Sequence, residues 1–239
     1  MKSAIVTGAS SGIGLEISRL LLELDYKVYG ISRYTKPKQI EHDKFVAVSS
    51  DLSEEKDWKP KVEAILKEEK ELSLLVNNAG IGALGLHEEI EYNRLRKLLE
   101  LNFCLPILLT RLCLRRIKEN AGLILNISST SALKASPIGA AYGASKAGLT
   151  SFGQSIFEEV RKTGTRVVNI HPDITRTHFF DELNFQESED RETFLLPEDI
   201  ADVVKFIIER KKELVITDIT IKPQKHRLDK KRHNKELTE

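Results

Sequence analysis

The chain has 239 residues, 41% of them hydrophobic and 31% charged, with a formal net charge of +1. That length suits one α/β domain closed around a single extended sheet, and the near-neutral balance offers no electrostatic pull on nucleic acid. No apolar run is long enough to span a membrane, and the start lacks the basic, apolar and small-residue succession of a signal peptide, so a cytoplasmic protein with no nucleic-acid or membrane partner is expected.

Short runs rich in β-branched residues predict strands at 2–7, 27–32, 44–48, 72–77, 121–128, 165–170 and 214–220. Between the first two, Ile13, Ile17, Leu20, Leu21 and Leu24 recur every three or four residues, so one face of that helix can lie on a sheet. Further helices are predicted at about 53–70, 92–118, 139–162 and 197–210. This alternation is the pattern of βα units on a mostly parallel sheet. Pro106 falls inside the 92–118 stretch, where its missing N–H should kink or interrupt the helix near its start. The two cysteines, Cys104 and Cys113, lie in the same apolar stretch without metal-ligand spacing, so buried thiols and no metal site are expected. From Lys222 to Glu239 the chain is charge-dense and nearly free of apolar residues, which predicts a tail that is mobile or docked on a neighbouring subunit.

The first strand runs through Thr7-Gly8-Ala9-Ser10-Ser11-Gly12-Ile13-Gly14 directly into the first helix. Glycines let bare backbone N–H groups approach a pyrophosphate, and the helix N-terminus adds partial positive charge. The spacing differs from the Gly-x-Gly-x-x-Gly fingerprint, so three rivals stand beside this reading. A triphosphate loop needs Lys and Ser/Thr after its last glycine, where Leu15 follows Gly14 here. Gly8 to Gly12 also satisfies the Gly-x-Ser-x-Gly elbow of serine hydrolases, but at the first strand it leaves no upstream loop for an oxyanion hole. The third is a purely structural tight turn. At the end of the second strand, where an acid would accept from a ribose 2′-hydroxyl, the chain reads Gly30-Ile31-Ser32-Arg33. A guanidinium there can clamp a 2′-phosphate, which points to NADP (NADPH/NADP+); the plain alternative is a solvated surface charge.

Tyr142 and Lys146 are one helical turn apart, so phenol and ammonium share a face. A nearby cation lowers a phenol's pKa and makes it a workable acid and base. Ser129, at the carboxyl end of the 121–128 strand, points to the crevice where parallel sheets bind ligands and could donate to a substrate carbonyl.

Together these residues resemble the short-chain dehydrogenase/reductase family from Lys2 to about Pro223. Thr7 to Gly14 is similar to its cofactor turn, Asp51-Leu52 to its adenine-contacting acid, and Asn77-Asn78-Ala79-Gly80 to the segment that steadies the sheet beside the cofactor. Asn102, Ser129, Tyr142 and Lys146 match its catalytic tetrad in order and spacing. The resemblance implies a Rossmann-type, doubly wound, seven-stranded sheet in the order 3-2-1-4-5-6-7 with helices on both faces. It also implies hydride transfer between the nicotinamide and a small carbonyl or alcohol. Tyr142 would be the proton donor, Ser129 would polarise the oxygen, Lys146 would hold the ribose and depress the tyrosine pKa, and Asn102 would fix a relay water. A homodimer or homotetramer built on the 92–118 and 139–162 helices is implied as well.

Two positions depart from the family pattern. Asp173 follows Pro172 where the family has glycine, placing a carboxylate near the nicotinamide amide, and Ala132 replaces another glycine. Thr177 remains for the carboxamide contact. One domain is expected over 1–223, with a lid at about 177–196 carrying Phe179, Phe180, Leu183 and Phe185, and a charged tail at 224–239; a surface helix packing its aromatic face on the body is the plainer reading of those phenylalanines. Pro197 to Ala201 and Ile219 to Pro223 resemble the branch acting on serine and other 3-hydroxy acids. A non-catalytic NADP(H)-binding sensor is the alternative that Asp173 keeps open, and attachment of nucleic acid through the basic tail is a third.

Overall fold

In the computed structural model, which describes residues 1–33, 40–135, 137–181, 185–211 and 213–230, the run Ser3–Thr7 forms β1 and is buried along its whole length. Burial at successive positions means that both faces of the strand are covered, as in a parallel sheet flanked by helices. The chain continues through α1 (Gly12–Glu23), β2 (Lys27–Ser32), β3 (Phe45–Ser49), α2 (Glu55–Glu68) and β4 (Leu72–Asn77). Then come α3 (Tyr92–Leu99), α4 (Leu105–Glu119), β5 (Leu123–Ile127), α5 (Ala140–Val160), β6 (Arg166–Pro172), β7 (Phe185–Glu187), α6 (Pro197–Glu209), β8 (Asp218–Ile221) and β9 (Leu228–Lys230).

Seven of these strands form one parallel sheet in the order β3-β2-β1-β4-β5-β6-β8, the predicted order with β8 as its seventh member. Chain direction reverses its march between β1 and β4, which opens a crevice at the carboxyl ends of both strands. One face of the sheet is covered by Ile17, Leu20 and Leu21 of α1 with Ile200, Val204 and Ile207 of α6. The other is covered by Trp58 and Val62 of α2 with Leu105, Leu109 and Ile117 of α4. The seventh strand of the sheet begins at Asp218 rather than 214, with the Thr217 carbonyl accepting from Asn169 N–H (2.8 Å) just ahead of it.

Pro106 acts differently from the expected kink. Between α3 and α4 the residues Glu100–Cys104 form a π-helical turn, and Leu105 N–H donates to the Glu100 carbonyl, one residue further back than in an α-helix. Pro106 has no N–H for the Asn102 carbonyl, so widening by one residue absorbs the missing donor while the helix continues. Within this turn Cys104 is half-buried rather than enclosed, whereas burial pushes the Cys113 thiol up to about 12.

A buried polar chain crosses four neighbouring strands. Asn77 Nδ2 donates to Asn126 Oδ1 (2.9 Å), Asn126 Nδ2 to Asn169 Oδ1 (3.0 Å), and Asn169 Nδ2 to Asp218 Oδ1 (3.1 Å). His171 Nε2 lies 3.1 Å from the same Asp218 oxygen and its Nδ1 lies 3.4 Å from the Ser129 carbonyl. Partnered amides inside the sheet fix strand register, because a slip would leave them unsatisfied.

The tail does not stand apart from the body up to Lys230. Leu228–Lys230 pairs antiparallel with Phe185–Glu187, inside the stretch expected to cover the crevice. Leu183 and residues 231–239 lie outside the described residues.

Candidate active site

The crevice is a cavity of about 790 Å³ that runs from the first glycine turn to the carboxyl end of β6. Gly8, Ser10, Ser11, Gly12 and Ile13 line one end of it. Gly8 and Gly12 take φ of +69° and +54°, a region where side chains clash with the backbone. Gly14 lies behind the wall, where a Cβ would sit 2.3 Å from the Gly8 carbonyl oxygen and 2.5 Å from Asn78 Nδ2. Asn78 is what holds the turn: its Nδ2 donates to the carbonyls of Thr7 (2.9 Å) and Gly8 (3.3 Å), and its N–H donates to Thr7 Oγ1 (2.9 Å). Ser11 caps α1 without a side-chain hydrogen bond, so no capping side chain competes for the first-turn N–H groups, the groups that hold anions at helix N-termini. Gly14→Ala should therefore lower stability by roughly 1–3 kcal/mol and abolish tight dinucleotide binding, as read by thermal unfolding and NADPH fluorescence titration.

Next along the wall come Ser32, Arg33, Asp51 and Leu52, beside Lys97 of α3, which sequence reading overlooked because it sits on a helix surface distant in the chain. Asp51 accepts from Ser53 Oγ (2.6 Å) and N–H (2.9 Å), and these bonds, with the charges of Lys97 and Arg33, hold its carboxyl below the usual range. Asn78, Ala79 and Gly80 continue the floor toward β5.

At the far end the structure brings together Ser129, Tyr142 and Lys146. Ser129 Oγ accepts from Ser131 N–H (3.1 Å), and its hydroxyl is near enough to the Tyr142 phenol to favour the ionised form. Lys146 Nζ donates to the Ile127 carbonyl (2.8 Å) and lies 6.0 Å from the Tyr142 ring centre. Asn102 is fully buried behind this wall. Its Oδ1 accepts from Ile81 N–H (2.9 Å), and its Nδ2 donates to the Ile81 carbonyl (3.0 Å) and to Ser145 Oγ (3.3 Å). A Cβ on Gly80 would lie 2.9 Å from Asn102 Oδ1 and 3.5 Å from Lys146 Nζ, so the two residues flank one point of the floor. Pro172 and Thr177 also line the cavity, and a Cβ on Gly12 would touch the Thr177 methyl at 3.0 Å.

Burial pushes Tyr142 up to about 12, with the Ser129 hydroxyl working against it, and burial brings Lys146 down to about 8. The expected depression of the phenol by the lysine alone is thus not what the protein chain produces. Desolvation is the largest influence on both groups.

The cavity also holds Phe179 and Asp173, which the sequence had singled out, and basic residues that it had not. Phe179 packs on the Tyr142 ring (centres 5.4 Å apart, planes at 58°). Lys134, Arg94, His178 and His226 bring basic groups to the same end, and Asp173 lines the wall after Pro172. Asp173 does not need the left-handed backbone a glycine would allow; among described non-glycine residues only Asp25 and Ala121 have positive φ. The side chains of Phe180 and Phe185 lie outside the described residues.

A doubly wound sheet with a glycine turn at its switch point and a Ser–Tyr–Lys cluster across the crevice defines a dinucleotide-dependent oxidoreductase architecture. The sequence model of short chain dehydrogenases matches residues 2–188, and the chain belongs to that family. It is 33% identical over 219 residues to carbonyl reductase family member 4 of Xenopus tropicalis, covering 87% of this chain and 91% of that protein. It is 28% identical over 235 residues to a probable NADP-dependent dehydrogenase of Haemophilus influenzae, covering 92% and 93%. Among solved structures, 4-hydroxyisoleucine dehydrogenase complexed with NADH superposes with a TM-score of 0.80 at 27% identity, covering 93% of this chain and 98% of that one.

Proposed function

We propose that the chain is an NADP(H)-dependent enzyme that transfers a hydride between the nicotinamide and a small carbonyl or alcohol, with 3-hydroxy acids as the substrate class. The observation that carries this reading is the Ser129–Tyr142–Lys146 cluster in the same cavity as the glycine turn. The dinucleotide, when bound, supplies the hydride. Gly8 to Ile13 and the N-terminus of α1 would hold its pyrophosphate, Asp51 and Leu52 its adenine, Arg33 a 2′-phosphate, Asn78 to Gly80 the middle, and Pro172 and Thr177 the carboxamide.

Tyr142 then gives its phenolic proton to the substrate oxygen, and Ser129 donates a hydrogen bond to that oxygen. With its pKa near 12, Tyr142 starts as the neutral acid that reduction requires. Lys146 would hold the ribose hydroxyls and, with Asn102, would return a proton to the Tyr142 phenolate. The 177–196 segment is read as a lid, which the packing of Phe179 on the Tyr142 ring supports. Lys134, at the substrate end, suits the carboxylate of a hydroxy acid. Solubility in the cytoplasm and assembly into a homodimer or homotetramer belong to the same proposal.

Arg33→Ala should lower kcat/KM with NADPH by roughly tenfold or more while changing that with NADH by less than about twofold. Steady-state assays with both cofactors check this, and an equal loss with both would remove the 2′-phosphate role. NADPH binding without turnover on any aldehyde, ketone or keto acid would favour the non-catalytic sensor.

A further inference from the structure

Asp173 brings a carboxylate, its side chain only 8% exposed, to the substrate end of the cavity. Its place is fixed: its N–H donates to the Ile221 carbonyl (2.9 Å) and its Oδ1 accepts from Ile174 N–H (3.0 Å). Two residues earlier on β6, His171 lies against the Ser129 carbonyl, which puts Asp173 on the Ser129–Tyr142 side of the crevice. A ring that exchanges hydride with a carbon held by Tyr142 and Ser129 must lie at this end.

The basic side chain within ion-pair reach of Asp173 among the described residues is His226, with Nε2 3.8 Å from Oδ1, a pair that carries opposite charges only when the imidazole is protonated. It comes from the tail, and the tail is anchored on both sides of it. Lys225 N–H donates to the Glu192 carbonyl (2.8 Å), and Lys225 Nζ pairs with Asp190 and Glu192. On the other side β9 pairs with β7. The C-terminal segment thus delivers an imidazole to a nearly enclosed carboxylate in the wall of the active site.

We propose that Asp173 and His226 together set the preference of this site between oxidised and reduced cofactor, an inference that rests on the cofactor reading above. The oxidised nicotinamide ring carries a positive charge and the reduced ring none, so an unopposed carboxylate at short range favours the oxidised form. A protonated imidazole beside that carboxylate cancels the effect. Both residues are specificity determinants acting through charge, and neither takes part in the proton transfer.

Calorimetric titration of the full-length chain with NADP+ and NADPH separately tests this. Asp173→Asn should weaken NADP+ relative to NADPH by roughly three- to tenfold, and His226→Ala, at an exposed side chain, should shift the same ratio the other way by roughly two- to fivefold. Ratios within twofold of the parent in both variants, or shifts in the same direction, would overturn the proposal. Failure of the parent chain to bind either form would instead overturn the cofactor reading, and this proposal with it.

Discussion

Replacing Tyr142 with phenylalanine should cut turnover by roughly a thousandfold or more while NADPH affinity stays within about threefold. The aromatic ring would remain packed on Phe179, and the space it fills near Ser129 would be unchanged except for one oxygen. What disappears is the phenolic proton that the proposed mechanism gives to the substrate oxygen beside Ser129. Because Tyr142 is held near 12, the parent enzyme keeps its proton through neutral pH, so the loss should be uniform from about pH 6 to pH 8. Parallel turnover assays and cofactor fluorescence titrations separate this outcome from a folding defect, which would weaken both.

Lys146→Met should also abolish useful turnover, and it carries a second signature in stability. Burial holds Lys146 near 8 in the folded chain against an ordinary 10.5 when unfolded. Between those values the unfolded chain binds more protons than the folded one, so the stability of the parent rises with pH through this window. Relative to Lys146→Met, the parent should gain about 2 kcal/mol between roughly pH 8 and pH 10. Tyr142 acts oppositely only above about pH 10, where the folded chain retains a proton that the unfolded chain has lost. Urea unfolding of both proteins without cofactor at several pH values checks the slope; parallel curves would show that the ammonium is not desolvated as described.

The sheet and the helical Tyr142–Lys146 pair were legible in the sequence because both rest on local periodicity. Strands covered on both faces leave continuous apolar runs such as Ala4 to Val6, and four-residue spacing aligns side chains on any helix. Gly8 and Gly14 were legible for a similar reason, since their backbone demands are written into residue type. The π-helical turn at Glu100–Cys104 was not: Pro106 announces a missing donor but does not say whether the helix breaks or widens. The burial that raises the Tyr142 pKa in the chain alone was not legible, because it depends on packing such as that of Phe179, remote in the chain.

His226 was illegible for a different reason. A charge-dense tail gives no hydrophobic pattern to follow, and its place against Asp173 depends on backbone pairing of Leu228–Lys230 with a segment some forty residues earlier. Likewise the amides Asn77, Asn126 and Asn169 read as strand residues with no partner assigned; only the register of β4, β5 and β6 lines them up.

Transfer of a label from the cofactor tests the central claim most directly. With NADPH carrying deuterium at the transferable C4 position, reduction of small aldehydes, ketones and 3-keto acids should give an alcohol holding one deuterium on the former carbonyl carbon. Tight NADPH binding by the intact chain with no label appearing in any product would contradict it.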